Sequence, residues 1–167
     1  MKKRRRKSLA LLAGVLLISF APTVDAAENV FRIIDGDTIQ MKGDEKVRLI
    51  QIDTPELSNN ECYALNAKIE LSKILNGPGK VQLISDPNLD GIDRYGRSLR
   101  YLFFNGINVN LKMVEIGAAA PYFYRSEQGL YSKKLMDAAE KAKKNKLGFW
   151  KQCPKTKLDP NHALTTK

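Results

Sequence analysis

The sequence predicts an α+β protein: a small five-stranded β-barrel with about three helices. Short runs of β-branched and apolar residues, separated by Asp-Gly, Gly-Asp and Asn-Gly turns, occupy residues 29–104. Apolar residues recur with helical spacing between two of these runs and again after residue 107. About 140 residues remain when an N-terminal targeting segment is set aside, which suits one domain with its own hydrophobic core.

The targeting segment is predicted over residues 1–26, which have the three parts of a secretory signal peptide. The basic MKKRRRK precedes the apolar run SLALLAGVLLISF, and the small residues of APTVDA follow. The apolar run is shorter than the roughly 20 residues of a membrane span. Cleavage is predicted after Ala26, with Ala27 as an alternative site and an uncleaved N-terminal anchor as an alternative interpretation. The protein is therefore predicted to be secreted or periplasmic.

The net charge of +10 at pH 7 overstates the basicity of the folded domain. The predicted signal peptide carries six basic residues and one acidic residue, so its removal leaves a charge of +5. A charge of this size is compatible with a polyanionic partner but is also common in soluble domains. Composition alone therefore does not assign a nucleic-acid partner.

Five strands are predicted in the first two thirds of the chain: NVFRII (29–34), TIQMK (38–42), KVRLIQI (46–52), KVQLIS (80–85) and SLRYLFF (98–104). A helix is predicted between the third and fourth strands, over residues 62–76, where Gly77-Pro78-Gly79 ends it. This order of elements favours a Greek-key barrel of the OB type. A generic α+β sandwich is the alternative.

The remainder of the domain is predicted to be mainly helical. A short helix is expected over residues 108–117 and a longer one over residues 127–145, with Leu130 among its inward-facing residues. The aromatic stretch PYFY (121–124) between them is irregular, and LGFW (147–150) is expected to pack back onto the domain.

The chain has two cysteines, Cys62 and Cys153. In an exported protein this number suggests one disulfide, and two free thiols are the alternative. A cysteine–histidine metal site is disfavoured because His162, the only histidine, lies in a polar region. The folded domain is predicted to span residues 27–152, and residues 153–167 to form a loose polar C-terminal tail.

Acidic residues at strand ends suit a hard cation. Asp37 lies in the turn before the second strand, and Asp53 and Thr54 end the third. Ca²⁺ prefers carboxylate and carbonyl oxygens, which these residues could supply from adjacent strand ends. The alternative for each acid is a turn function alone, since Asp-Gly pairs are common in turns.

Two arginines and a glutamate complete the candidate site. Arg48 in the third strand and Arg97 at the end of DRYGR could clamp a phosphodiester through their forked guanidinium groups. Glu56 could orient or deprotonate a water, and Pro55 restricts the backbone before it. Because Arg48 and Asp53 are five residues apart, an ideal strand would point them to opposite faces. The site therefore requires the third strand to bend, bulge or end before Asp53.

The motifs IDGDT, R-x-x-x-x-DTPE and DRYGR, followed by PYFY and LGFW, occur in an order that resembles the thermonuclease, or staphylococcal nuclease-like, family. The resemblance runs from about residue 30 to residue 150. It implies an OB-fold barrel with three helices. It also implies a Ca²⁺-dependent phosphodiesterase that cleaves DNA and RNA at the 5′ P–O bond and leaves 3′-phosphate ends.

The resemblance implies a role for each matching residue: metal binding by Asp37, Asp53 and Thr54, catalysis by Arg48, Glu56 and Arg97, and substrate binding by Tyr95, Tyr122 and Tyr124. Aromatic faces in such a pocket stack on bases without reading sequence, at roughly 1–3 kcal/mol per base. The predicted partners are DNA and RNA, with single-stranded or frayed regions preferred. The protein is predicted to be a monomer without a stable protein partner.

Two other functions are compatible with the sequence. A non-catalytic OB-fold module would bind nucleic acid or protein without cutting it. The joint presence of Asp37, Arg48, Asp53, Glu56 and Arg97 disfavours that interpretation. An exported domain with a purely structural Ca²⁺ site would show metal-dependent stability and no hydrolysis.

Overall fold

The computed structural model of the chain describes residues 30–167, apart from the side chain of Phe31. The predicted signal peptide and the first three residues of the predicted domain lie outside the described residues. The strands are β1 (Val30–Ile33), β2 (Thr38–Met41), β3 (Lys46–Leu49), β4 (Ile52–Asp53), β5 (Val81–Ile84), β6 (Ser98–Phe104), β7 (Ile107–Asn108) and β8 (Ala120–Pro121). The helices are α1 (Ala64–Ile74), α2 (Val109–Glu115), α3 (Ser132–Lys144) and α4 (Phe149–Gln152), with a 3₁₀ turn at Tyr124–Ser126. None of these helices has both the length and the apolar composition needed to cross a membrane.

One six-stranded sheet organises the first part of the fold. Its strands follow the order β1-β2-β3-β6-β5, and β7 pairs with β6. Strands β3 and β6 run parallel, with Arg48 opposite Leu99, whereas the other pairs are antiparallel. Strands β4 and β8 form a separate antiparallel pair. The parallel pairing brings Arg48 close to the start of β6, which Arg97 directly precedes.

The predicted α+β class is confirmed, but the predicted strand count is wrong. The sheet has six strands instead of five, because the chain turns back after Asn105-Gly106 and residues 107–108 pair with β6. The predicted third strand, residues 46–52, is divided into β3 and β4 by a break at residues 50–51. The pairings described for residues 30–167 do not include closure into a barrel, so closure stays a prediction.

The long C-terminal helix is shorter at its start than predicted. It begins at Ser132 instead of residue 127, because the side chain of Gln51 holds the backbone just before it. The Gln51 amide donates to the Glu127 carbonyl and accepts from the Gly129 N–H. Leu130, predicted to face inward, therefore precedes α3 and is 57% exposed. Helix α1 likewise begins at residue 64 instead of 62, and residues 149–152 add a fourth helix to the three predicted.

The main core lies between the sheet and helices α1 to α3. Alternate residues of β2 and β3 are buried in it, namely Ile39, Met41, Val47 and Leu49. Each such side chain contributes roughly 1.5–3 kcal/mol when fully buried. Because successive strand residues point to opposite faces, burial of Val47 and Leu49 directs Arg48 away from the core. The hydrophobic pattern of β3 thus selects the face on which this arginine emerges.

A disulfide joins Cys62, just before α1, to Cys153, just after α4. The two cysteines are 91 positions apart in sequence, so the bond closes a long loop. A bond of this kind restricts the unfolded chain, and its loss commonly costs about 2–5 kcal/mol. No free cysteine occurs among the described residues.

Reduction of this disulfide is expected to lower the free energy of unfolding by about 2–5 kcal/mol. Urea unfolding of the mature protein, with and without dithiothreitol, measures the effect. The double variant Cys62→Ser/Cys153→Ser is the control. Its urea midpoint should match that of the reduced protein and should be the same with and without dithiothreitol. Equal urea midpoints for the oxidised and reduced protein would contradict the prediction.

The prediction of a loose tail is wrong. The C-terminal segment (residues 153–167) has no helix or strand, yet Leu164 and Thr166 are only 7% and 2% exposed. Leu164 packs in a small apolar cluster with Phe149, and Thr166 Oγ1 donates a hydrogen bond to the carbonyl of Cys62 at 2.7 Å. The segment is polar in sequence because most of its side chains face solvent, while a few anchor it to the domain.

Candidate active site

Two buried aspartates are held by one guanidinium group. Asp37 immediately precedes β2 and Asp53 ends β4, and both carboxyl groups contact Arg48. Arg48 Nη2 lies 2.6 Å from Asp53 Oδ1, and Nη1 lies 3.3 Å from Asp37 Oδ2. Nη1 also donates to the carbonyl of Ile52 at 2.9 Å. Two other segments of the chain therefore converge on the guanidinium group of Arg48.

A left-handed turn at Gln51 explains why Arg48 and Asp53 share a face. The φ of Gln51 is 66°, far from strand values. Its buried side chain donates to Glu127 O and accepts from Gly129 N, each at 3.0 Å. Such a backbone conformation costs of order 1–3 kcal/mol in a residue other than glycine, and these bonds help to hold it. The bend that the site requires after β3 is therefore present and depends on a tertiary contact.

Asp37 is fixed from two sides. Thr54 donates to Asp37 Oδ2 through its N–H at 3.0 Å and through Oγ1 at 3.1 Å, and Thr38 Oγ1 donates to Oδ1 at 3.0 Å. Gly36 permits this approach, since a Cβ at that position would lie 2.8 Å from Thr54 Oγ1. The glycine of IDGDT is thus required for packing, which a turn function alone does not explain.

Negative charge around Arg48 exceeds what one guanidinium group neutralises. Burial raises the pKa of Asp53 to about 7, with Asp37 adding to the shift and Arg48 opposing it. Burial and the charge of Asp37 likewise raise the pKa of Asp35 to about 6. Burial lowers the pKa of Arg48, but the surrounding carboxylates more than compensate, and its pKa is raised. The acidic cluster (Asp35, Asp37 and Asp53) is therefore short of positive charge.

A cleft of about 560 Å³ opens beside the acidic cluster. Seven of the predicted site residues line it: Arg48, Asp53, Glu56, Tyr95, Arg97, Tyr122 and Tyr124. Asp37 and Thr54 do not line the cleft. Both are buried, and they are bonded to each other next to Asp53. The predicted catalytic and substrate-binding residues thus share one surface, whereas two of the three predicted metal ligands lie beneath it.

Arg97 is oriented within the DRYGR loop by Asp93. Its Nε donates to Asp93 Oδ2 at 2.7 Å, and its backbone N–H donates to Oδ1 at 2.9 Å. The Cζ atom lies 5.5 Å from the centroid of the Tyr95 ring, a cation–π distance. The two terminal amino groups carry four of the five guanidinium donors, and the hydrogen bond that Nη1 donates to Thr38 Oγ1 is long at 3.5 Å. Arg97 therefore combines a fixed orientation with donor capacity toward the cleft.

Glu56 follows Pro55 in the loop after β4 and lines the cleft. Its backbone N–H donates to Glu61 Oε2 at 3.0 Å, which ties the two ends of this loop together. Partial burial, and then the charge of Asp37, raise the pKa of the Glu56 carboxyl. A raised pKa makes a carboxylate a stronger acceptor for a water proton.

The three tyrosines differ in exposure. Tyr95 is 68% exposed, Tyr124 is also exposed, and Tyr122 is half-buried with its N–H donating to Gln51 O at 3.0 Å. Arg94 lies over the Tyr95 ring and Arg125 over the Tyr124 ring, at 4.8 Å and 5.1 Å from the ring centroids. The rim of the cleft thus presents aromatic faces paired with positive charge.

The oxygen ligands available here fit a hard cation. Within residues 30–167, no group of three histidine, cysteine, aspartate or glutamate side chains is arranged to hold a metal ion. Asp37 and Asp53 offer two carboxylates, with backbone carbonyls and water as further ligands, and Ca²⁺ accepts all three types. Burial, and then the charge of Asp37, raise the pKa values of Asp35 and Asp53, and a bound cation would favour the ionised form of both carboxyl groups. These residues therefore fit a metal ion that completes its coordination with water.

Comparison with known families agrees with this geometry. The family model described as "Staphylococcal nuclease homologue" matches residues 46–152, which is more than half of the chain.

The chain belongs to the staphylococcal nuclease homologue family.

The resemblance predicted from the motifs is thereby confirmed, and nuclease activity is supported. The family match contains Arg48, Glu56 and Arg97 together with the three tyrosines, and it begins after Asp37. The IDGDT turn is thus connected to the matched region by the hydrogen bonds between Asp37 and Thr54.

Curated relatives of this nuclease-family chain include proteins named as endonucleases. An uncharacterized endonuclease of Haemophilus influenzae is 33% identical over 148 residues, 84% of this chain and 77% of its own. Endonuclease YncB of Bacillus subtilis is 35% identical over 127 residues, 71% of this chain and 59% of its own. An uncharacterized protein of Bacillus anthracis is 35% identical over 130 residues, 73% of this chain and 59% of its own. The chain thus spans less than two thirds of the last two relatives.

Sequence reasoning missed three residues of this staphylococcal nuclease homologue. Asp35 joins the acidic cluster, and its place in IDGDT was the available signal. Gln51 shapes the turn between β3 and β4, but nothing in the run KVRLIQI marks it. Leu164 donates its N–H to Asp53 Oδ2 at 2.7 Å, although it lies 111 residues further along the chain. A backbone contact of that kind leaves no signature in side-chain identity.

Proposed function

We propose that the protein is an exported, Ca²⁺-dependent nuclease that hydrolyses phosphodiester bonds in DNA and RNA at the 5′ P–O bond and leaves 3′-phosphate ends. The observation that carries the proposal is the cleft that Glu56 and Arg97 line together with Asp53, the member of the acidic cluster that reaches its surface. A carboxylate, a guanidinium group and a cation site on one surface are what attack of water on a phosphodiester needs.

Asp37 and Asp53 would hold the Ca²⁺ ion with the carbonyl of Thr54. The ion, when bound, would supply positive charge that stabilises the charge developing on the phosphate. The chain's own part is to keep the ligands in place. Thr54 restrains Asp37 through two hydrogen bonds, and Arg48 restrains Asp53 through one ion pair. Both carboxylates are therefore preorganised.

The two arginines contribute differently. Arg97 is the main phosphate ligand of the proposal, because Asp93 engages only its Nε side and leaves most donors for the cleft. Arg48 also lines the cleft, but its terminal nitrogens already contact Asp37, Asp53 and two backbone carbonyls. Its first role is to hold the two aspartates together, and phosphate contact is its second.

Glu56 is proposed to hold the attacking water and to accept its proton. The raised pKa of this carboxyl suits the acceptor role, and its position on the cleft wall allows contact with a solvent molecule. Tyr95, Tyr122 and Tyr124 would bind the bases on either side of the reacting phosphate by stacking, which favours unpaired strands.

Positive charge outside the cleft supports a polyanionic substrate. Lys155, Lys157 and Lys167 line a depression of about 280 Å³, together with His162 and Asp159. Residues 163–165 line both this depression and the cleft, so the two adjoin along the C-terminal segment. A nucleic-acid strand that leaves the cleft on this side would meet lysines.

Export is proposed from the predicted signal peptide, and a disulfide suits an oxidising compartment. The fold proposed with this function is an OB-type barrel formed by closure of the six-stranded sheet, acting as a monomer. N-terminal sequencing of protein recovered outside the cytoplasm, with Ala27 as the expected first residue, tests the export step.

The test of the proposed activity is cleavage of denatured DNA by the mature protein with Ca²⁺, with Mg²⁺ or with excess chelator. Cleavage is expected with Ca²⁺ and is expected to be abolished by chelator, and end-group analysis should find 3′-phosphates. Full cleavage in excess chelator would contradict the calcium role. Binding of oligonucleotides without any cleavage would instead support a non-catalytic binding module.

The apparent Ca²⁺ affinity is expected to rise with pH. Asp53 and Asp35 have pKa values of about 7 and about 6. A protonated carboxyl group binds metal poorly, so Kd should be about tenfold higher at pH 6 than at pH 8. Calorimetric titration of the protein at both pH values measures this, and Asp137→Asn, which changes an exposed acid on α3, should keep the same pH dependence. Equal Kd values at the two pH values would contradict the prediction.

A further inference from the structure

The C-terminal segment reaches the acidic cluster directly. The N–H of Leu164 donates to Asp53 Oδ2 at 2.7 Å, while Arg48 Nη2 lies 2.6 Å from Asp53 Oδ1. Each oxygen of the Asp53 carboxyl group is therefore held by a different partner, Oδ2 by Leu164 and Oδ1 by Arg48. Since a carboxylate oxygen has two lone pairs, each oxygen keeps capacity for one more ligand.

The segment is anchored on each side of this contact. Before it, Phe123 N donates to Pro160 O at 2.6 Å. After it, Thr166 Oγ1 donates to Cys62 O at 2.7 Å. Leu164 itself packs in the apolar cluster with Phe149, Trp150 and Cys153. The position of its N–H is thus fixed by neighbours on both sides and by burial of its side chain.

The disulfide connects the start of the segment to its far anchor. Cys153, at the start, is bonded to Cys62, whose carbonyl receives Thr166 near the end. The segment therefore leaves from and returns to the same pair of cysteines. Bonds within such a tethered loop form intramolecularly, at a high effective concentration, so docking costs less entropy than it would for a free tail.

We propose that the C-terminal segment is a working part of the active site: the Leu164 backbone N–H positions the Asp53 carboxylate for cation binding, and the Cys62–Cys153 disulfide holds it there. The inference rests on the proposed function, since the cation is the proposed Ca²⁺ ion. Leu164 is a positioning residue, because it acts through Asp53. Reduction of the disulfide is accordingly expected to weaken Ca²⁺ binding as well as the fold.

The first arm of the test needs no metal. Hydrogen exchange of the oxidised mature protein is expected to show protection of the Leu164 amide. Asp53→Ala, which removes the acceptor, should increase exchange at residues 160–167, whereas Asp137→Ala on α3 should not. An unprotected Leu164 amide in the unmodified protein would overturn the proposal, whatever the protein does with Ca²⁺.

The second arm measures Ca²⁺ binding by calorimetry in the absence of substrate. Leu164→Pro removes the N–H, and Leu164→Ala keeps it while removing the same apolar contacts. A hydrogen bond to a charged group is strong enough that Leu164→Pro should bind Ca²⁺ about tenfold more weakly than Leu164→Ala. Thermal unfolding of both variants checks that they are folded. Equal Kd values for the two folded variants would overturn the proposal.

A variant that lacks residues 154–167 provides a further measurement if Leu164→Pro does not fold. Weaker Ca²⁺ binding after this truncation supports the positioning role. Tighter binding or faster cleavage would overturn it, since the segment would then obstruct the site. If the amide is protected but the unmodified protein binds no Ca²⁺, the proposed calcium function fails, and with it the part of the proposal that concerns the cation.

Discussion

Arg97→Ala is expected to lower kcat for polynucleotide cleavage by about 10³-fold or more, with a smaller change in KM. An arginine that meets the charge developing on a transferring phosphoryl group is worth roughly 10³–10⁵ in kcat. Arg97 suits this role because it lines the cleft and because Asp93 and Tyr95 orient its guanidinium group. Steady-state cleavage of denatured DNA at saturating Ca²⁺ measures kcat and KM separately.

Two variants make the result specific. Arg97→Lys keeps the positive charge but loses the planar fork, so it should recover only part of kcat. Arg32→Ala removes an exposed arginine of β1, outside the residues that line the cleft, and should leave kcat within about twofold, as is usual for exposed positions far from a site. A kcat for Arg97→Ala within tenfold of the unmodified protein would contradict the assignment of this residue.

Arg48→Ala is expected to destabilise the fold by about 3–5 kcal/mol, because it leaves buried carboxylates without their partner. The Arg48 side chain is 13% exposed, and its guanidinium group contacts Asp37 and Asp53. Its removal eliminates the positive charge that opposes the raised pKa of Asp53. The pKa of Asp53 in the folded variant should therefore rise further, and stability should be higher at pH 5.5 than at pH 8 because it is lost as the pH rises through that pKa. Urea unfolding at both pH values measures this.

A double variant separates the ion pair from simple loss of packing. Asp53→Asn in the Arg48→Ala background removes the uncompensated charge and should recover part of the stability, which a double-mutant cycle quantifies. Millimolar Ca²⁺ should also stabilise Arg48→Ala by a larger amount than Arg32→Ala, since a cation can replace the missing guanidinium charge. Equal stability of Arg48→Ala at the two pH values, with no response to Asp53→Asn, would contradict the role of Arg48 as counterion.

The local parts of the fold were predictable because their signals are local. Alternation in TIQM and KVRL predicts strands with one buried face, and the Asp-Gly and Asn-Gly pairs predict turns. Element boundaries were less predictable where a distant partner decides them. Residues 127–131 were predicted to be helical, yet the Gln51 side chain forms hydrogen bonds with the Glu127 carbonyl and the Gly129 N–H, and α3 starts only at Ser132. Residues 107–108 form a strand only because β6 lies beside them.

For the candidate site, the sequence by itself determined which groups are available. It supplies Asp37, Asp53, Glu56 and Arg97 at strand ends and turns and Arg48 within a strand, in an order that identifies the family. Motif spacing carries that information because strand alternation and turn chemistry are properties of neighbouring residues.

Tertiary structure decided how those groups are used. The positive φ at Gln51 turns Asp53 toward Arg48, and the parallel β3–β6 pair brings the DRYGR loop to the same cleft. The C-terminal segment, polar and unremarkable in sequence, places the Leu164 N–H on Asp53. These contacts join residues up to 111 positions apart, and two of them use backbone groups that every residue except proline can offer. Tertiary packing therefore determines these contacts, because only the folded chain brings such common groups within hydrogen-bonding distance.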